Sequence, residues 1–486
     1  MVDPAQRRRT KGKHKRSPLR LSIYWRELQF DNSSLRATHS ARGHASQKIV
    51  CYFGSWAVYR PGNGEISIEN EIDASLCTHL IYTFVGLNAD GTINILDKWA
   101  DLPDAGGRDG YNKFNQLRNG NPRTRTLVAI GGWNEGSVTY SKVAADPALR
   151  ATFVESAATF VRKYGFDGLD FDWEYPNQRG GSLKDRENYV LLLKELRKRF
   201  DEEGLLLSAA LAAAQSSASK SYIVPEVVKY LDLVNLMAYD LHGLWDKTTG
   251  VNAPLYAGSW ERGDQRLLNV NASINWWISQ GAAPEKLILG IPFYGRSFSL
   301  DDQSQTGIGA PATAPGRAGP YTRQAGTLGY NEICEDQDWK ETWQEEQRVP
   351  YAVKGDQWVG YENPRSVQEK AEFINRLGLG GVMAWSIETD DFKGICGEKN
   401  PLLKTLNHVL HGGAPLPPTS ATTKAPDAEV KCRTTGFVSH PKKCSVFYVC
   451  VQNASGGFDS HELNCSKGQF FDKVQMRCNY PNLVRC

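Results

Sequence analysis

No stretch of eighteen consecutive apolar residues occurs in the 486-residue chain, so a membrane-spanning helix is not expected. No GxGxxG follows the first apolar run near residue 49, which speaks against a dinucleotide-binding, doubly wound sheet. The ten cysteines include no CxxC pair, and only His440 and His461 lie near the six that crowd the last 55 residues. That spacing disfavours zinc and reads as an even-numbered, disulfide-stapled extracellular module. The basic start also lacks the continuous apolar core of a leader, because Leu19, Leu21 and Ile23 alternate with Arg20, Ser22 and Tyr24. A secreted, extracellular protein is therefore expected from its cysteines alone.

The formal charge of +3 is unevenly spread. Residues 1–46 carry eleven Lys or Arg against three acids, which leaves the remainder net negative. Such a body offers no footprint for nucleic acid, and the run from Arg7 to Arg16 reads as a solvated tail. Thirteen tryptophans are more notable: an indole is costly to place in a core, and its flat face suits a sugar ring.

Eight apolar runs read as strands: 49–53, 79–85, 126–130, 168–173, 205–211, 233–238, 287–293 and 381–386. Helical periodicity lies between several of them, at 147–164, 186–202, 267–280 and 367–377. The alternation predicts the α/β class, specifically a closed (β/α)8 barrel. The seventh connection is too long for one helix, so an α+β insertion is expected at about 297–379. The expected organisation is a basic, disordered segment 1–47, a barrel 48–410, a Pro/Thr/Ser-rich linker 411–430 and a small disulfide-rich module 431–486. Sequons begin at Asn32, Asn271, Asn453 and Asn464.

The segment Asp167 to Pro176 carries the chemistry. On a strand, Asp170 and Asp172 point to one side, with Glu174 following at the C-terminal end, where barrel enzymes work. Three inward carboxyls are too costly for an inert core and must share protons or hold cations. No His or Asn cluster accompanies them, so acid–base chemistry is expected, with no metal and no cofactor.

The run Asp167 to Glu174 matches DGxDxDxE and resembles glycoside hydrolase family 18, the chitinases. Tyr52-Phe53-Gly54-Ser55-Trp56, Gly131-Gly132-Trp133, Met237-Ala238-Tyr239-Asp240, Tyr294-Gly295-Arg296 and Met383-Ala384-Trp385-Ser386 agree with animal, arthropod-type members over about residues 48–410. The resemblance implies endo-hydrolysis of β-1,4-linked N-acetylglucosamine polymer by a retaining mechanism that uses the substrate's own N-acetyl group, an exception among glycosidases. Glu174 is then the general acid and base, Asp172 the orienter of the acetamide, and Asp170 a deeper partner sharing a proton with Asp172. Tyr239 and Asp240 complete the catalytic set. Substrate contacts are expected from Tyr52, Trp56, Phe84, Trp133, Met237, Trp245, Tyr294, Arg296, Glu332 and Trp385, with Trp99 and Trp358 balanced between groove and packing. Cys51–Cys77 and Cys334–Cys396 are implied as staples.

By the same kind of resemblance, residues 431–486 look like a peritrophin-type chitin-binding module. Its implied pairing is Cys432–Cys450, Cys444–Cys486 and Cys465–Cys478, one of fifteen that six cysteines allow. Phe447, Tyr448, Phe470, Phe471 and Tyr480 divide between core and sugar platform, with Tyr448 and Phe471 expected on the surface. The partners expected are chitin and chito-oligosaccharides, with no nucleic acid, and the protein is expected to be a monomer. A non-hydrolytic chitin lectin and a structural chitin-matrix protein are the alternatives; an intact acid motif opposes both.

Overall fold

The computed structural model describes residues 47–412 and, further on, 436–439, 444–452, 458–465, 470–472 and 477–479. The expectations for the basic start and the linker lie outside these residues, apart from Gln47, His411 and Gly412.

Eight parallel strands close into a barrel: β1 (Lys48–Gly54), β2 (His79–Leu87), β3 (Arg125–Gly131), β4 (Gly168–Asp172), β5 (Leu206–Ala212), β6 (Leu233–Met237), β7 (Leu287–Pro292) and β8 (Gly381–Trp385). Closure comes from β1, which pairs with both β2 and β8. Every strand read from the sequence is present, within two residues at each end. They appear there as unbroken apolar runs because both faces are covered. Odd and even positions nevertheless go to different places. Val50, Tyr52, Ile81, Leu127, Ala129, Ile288 and Met383 fill the barrel interior, while Ile49, Cys51, Phe53, Leu80, Val128, Phe171 and Ile291 pack outward under the helices.

The helices start and stop where the chain provides caps. Helix α1 (Pro147–Tyr164) begins with Asp146 accepting from Ala148 and Leu149 at 2.8 and 3.2 Å, has proline in its first turn, and ends at left-handed Gly165. Helix α2 spans Asp185–Asp201 and α3 Val270–Ser279. Helix α4 (Pro364–Leu377) is capped by Asn363 and ends at Gly378. Its Val367, Ala371, Phe373 and Ile374 join the barrel's outer core, so it belongs to the barrel although it falls inside the range expected for the insertion. No helix among the described residues is long and apolar enough to cross a membrane.

The insertion proper is an antiparallel sheet that starts one residue after Phe293. Strand 294–299 pairs with 314–315, 327–329 and 357–360, and the last continues through 349–354 to 340–344. Trp358 is fully buried there against Phe298 and Tyr351, which resolves its role as packing.

In the C-terminal part, 436–439, 446–452 and 458–464 form a three-stranded antiparallel sheet and 470–472 pairs with 477–479. Phe447 and Phe471 stack at 4.2 Å beside Cys465. Tyr448 and Phe471 are both buried, which corrects the expectation that they are exposed: so short a segment has few large apolar groups, and its core takes the Phe471 ring. Tyr480 lies outside the described residues.

Disulfides join Cys51 to Cys77, Cys334 to Cys396 and Cys465 to Cys478. Cys444 and Cys450 are also disulfide-bonded, but the partners implied for them, Cys486 and Cys432, are not among the described residues.

Candidate active site

Strand β4 lies between β3 and β5, with Asp170 level with Ala129 and Ser208, and Asp172 level with Gly131. A side chain at Gly131 would place its Cβ 2.0 Å from the Asp172 carbonyl oxygen, and its φ of +116° is a second reason for glycine. Asp167, which opens the motif, faces the other end of the barrel, paired with Arg118 at 2.9 Å and Arg125 at 3.5 Å.

Asp170 is fully buried and tied to three strands. Tyr52 donates to its Oδ2 at 2.7 Å, and Ser208 and Asn235 donate to Oδ1 at 2.5 and 3.1 Å. Burial pushes this carboxyl up to about 6, and those three hydrogen bonds hold it from going higher. Asp172 has no such support, since its Oδ1 is buried without a hydrogen-bond partner among the described residues. Burial first, then the charges of Glu174 and Asp170, push it well above the usual carboxylate range. Asp170 thus accepts from Tyr52, Ser208 and Asn235, while the charges of both Glu174 and Asp170 act on Asp172.

Glu174 sits half-buried just past the strand end. Burial raises it to about 7; Tyr175 and Arg179 pull it down and Asp240 pushes it up. A carboxylic acid still protonated near neutral pH is suited to proton donation.

The aromatic expectations separate into groups. Trp385 ends β8 with Tyr52 edge-on at 5.5 Å, Phe84 at 5.8 Å and Trp56 at 6.3 Å. Trp56 stacks on Phe84 and stays exposed, as do Trp133 and Trp245. Tyr239 lies over the barrel mouth, its hydroxyl 3.7 Å from Met383 Sδ, and Met237 is half-buried beneath. Gly290 makes room there: a Cβ would stand 2.9 Å from the Tyr239 ring and 2.3 Å from the Leu236 carbonyl. Trp99 is exposed and stacked on Tyr59 at 5.8 Å, on a rim segment capped by Arg108.

Four expected contacts have other work. Tyr52 is 1 % exposed and supports Asp170. Tyr294 is buried and donates to Asp240 Oδ1 at 2.7 Å. Arg296 grips the same carboxylate through Nε at 2.7 Å and Nη2 at 2.6 Å, with Nη1 on Thr327, so its charge is spent on Asp240 and on joining the insertion to the barrel. Glu332 is buried inside the insertion, accepting from the main chain of Tyr321, Thr322 and Gly329 and from the Thr322 hydroxyl. With its lone pairs engaged there, Glu332 organises the loop around it.

Ser208, Asn235 and Arg179 do not stand out in the sequence reading. The first two carry a signal: each is a lone polar residue inside an apolar barrel strand, a position that must find a buried partner. Arg179 carries none, because its loop shows no periodicity.

The model of Glycosyl hydrolases family 18 matches residues 48–390, and that of the Chitin binding Peritrophin-A domain matches residues 432–486. An Endochitinase of Manduca sexta is 42 % identical over 395 residues, covering 78 % of this chain and 70 % of its own length. Probable chitinase 2 of Drosophila melanogaster is 44 % identical over 386 residues, 75 % of this chain and 77 % of the relative. Among solved structures, the Group IV chitinase of Ostrinia furnacalis in complex with allosamidin superposes with a TM-score of 0.73 at 45 % identity, covering 76 % of this chain and all of that one.

Proposed function

The chain belongs to glycosyl hydrolases family 18, and from that premise we propose that it is an extracellular chitinase cutting within β-1,4-linked N-acetylglucosamine chains, with Glu174 as general acid and base. The observation that carries this reading is the line of carboxyls Asp170, Asp172 and Glu174, in which the outermost is pushed up to about 7 by burial. In the first half-reaction Glu174 gives its proton to the glycosidic oxygen as the C1–O bond breaks. The carbonyl oxygen of the substrate's acetamide attacks C1 and forms a cyclic oxazolinium. In the second, a water attacks C1 while the Glu174 carboxylate takes its proton, the ring reopens, and the configuration at C1 is retained.

The unpartnered Oδ1 of Asp172 supports its role, since it is a buried acceptor free to take the acetamide N–H and aim the carbonyl. Asp170 holds a deeper position and acts on Asp172 through charge. Tyr239, and Asp240 held by Tyr294 and Arg296, border the reacting sugar, and Trp385 forms its floor. The exposed Trp56, Trp133 and Trp245 are stacking platforms for further rings. The C-terminal domain keeps the enzyme on insoluble polymer by tethering. The extracellular setting is supported by the absence of free cysteines among the described residues.

Glu174→Gln preserves shape and removes the proton. It should keep chito-oligosaccharide binding while turnover falls by ~10²–10⁴-fold or more, and a thiazoline analogue of the cyclic intermediate should inhibit the wild type. Near-normal hydrolysis by the variant, measured as new reducing ends with contamination excluded, would end this reading.

A further inference from the structure

Arg179 lies between two parts of the site and belongs to neither. Its loop follows β4, and in it Asn177, Arg179 and Gly180 have φ of 63°, 51° and 88°. A long side chain in the left-handed region is strained and persists only where its surroundings insist. Here they do. Asp185, fully buried at the start of α2, accepts from Asn177 N at 3.1 Å, Ser182 N at 2.7 Å and Ser141 Oγ at 2.7 Å. Gln178 Nε2 donates to Ser217 Oγ and Ser221 Oγ, each at 2.8 Å.

The loop so held delivers one guanidinium to two targets. Its Nη1 donates to the Trp133 carbonyl at 2.8 Å and to the Glu174 carbonyl at 3.0 Å, and its central carbon lies 3.6 Å from the centre of the Trp133 ring. One face of the indole is therefore covered. Trp133 is still 59 % exposed, so much of its surface remains available to a ligand.

Resting on the reading of Glu174 as proton donor, we propose that Arg179 is a positioning residue that ties the Trp133 indole and the Glu174 main chain into one rigid unit, keeping a stacked sugar in register with the acid. A flat guanidinium can cover an indole while donating in its own plane; an ammonium cannot do both. The same group also acts on the acid through space. Glu174 is faced by Asp172, Tyr175, Tyr222, Tyr239, Asp240 and Arg179. Arg179 favours the carboxylate, so removing it makes the proton harder to lose and moves the alkaline limb of the pH–rate profile upward.

The test compares Arg179→Met and Arg179→Lys. In a Glu174→Gln background, calorimetry with tetra-N-acetylchitotetraose should show several-fold weaker binding for Arg179→Met and an intermediate loss for Arg179→Lys. With Glu174 intact, kcat/KM against pH should show the alkaline limb raised by a few tenths of a unit in Arg179→Met but unmoved in Arg179→Lys. That shift should fade in high salt, as expected for an exposed charge. Unchanged binding together with an unchanged limb would overturn the proposal. So would equal losses in both variants accompanied by an equal fall in Tm, the signature of a residue that only holds its loop. Normal hydrolysis by the Glu174→Gln parent would instead sink the proton-donor assignment, and the binding arm would still decide the role of Arg179.

Discussion

The Tyr52 hydroxyl donates to Asp170 at 2.7 Å and accepts from Asn235 at 2.9 Å. Both partners are buried, so removing that oxygen leaves a carboxylate oxygen and an amide N–H short of partners in a place water does not readily reach. Tyr52→Phe should therefore lower stability by about 1–3 kcal/mol, read from a denaturant melt, while KM for soluble chito-oligosaccharides stays within twofold. A raised KM with an unchanged melt would return Tyr52 to the surface of the groove. Ser208 and Asn235 also donate to Asp170, which makes this network a device for holding one carboxyl still beneath Asp172 and Glu174.

Among the elements, the insertion depends on a short helix, Tyr330–Cys334, and on one carboxylate in it. Glu332 gathers the turn at 321–322 and the end of strand 327–329 through four hydrogen bonds of 2.7–2.8 Å. In Glu332→Gln one accepting oxygen becomes an NH2 group facing N–H or O–H donors, so at least one buried donor is stranded. The expected cost is about 2–3 kcal/mol, seen as a lower melting midpoint with unchanged kcat/KM at a temperature where the variant is folded. A direct sugar contact would give the opposite pattern. The insertion is joined to the barrel at Asp240–Arg296 and Asp240–Tyr294, and the Cys334–Cys396 disulfide ties its helix to the stretch after β8.

At the scale of the whole molecule, every residue assigned to catalysis lies before position 412. A chain ending there should hydrolyse soluble chito-oligosaccharides at the full-length rate and be slower on insoluble chitin, because it lacks the tether. Equal loss on both substrates would mean that the C-terminal part supports the barrel itself. The order of strands, the inward side of β4 and the acid at its end were legible in the chain, because side chains alternate with period two and carboxyls on one side of an apolar strand are too costly to bury without a chemical task. The sequence did not show the internal partners of Tyr52, Tyr294, Arg296 and Glu332. For the first three the deciding partner stands far off in the chain: Asp170 lies 118 residues from Tyr52, and Asp240 lies 56 from Arg296. Periodicity reports which way a side chain points on its own strand; the tertiary fold decides which charge it meets, through barrel closure for Tyr52 and through the joining of the insertion to the barrel for Tyr294 and Arg296.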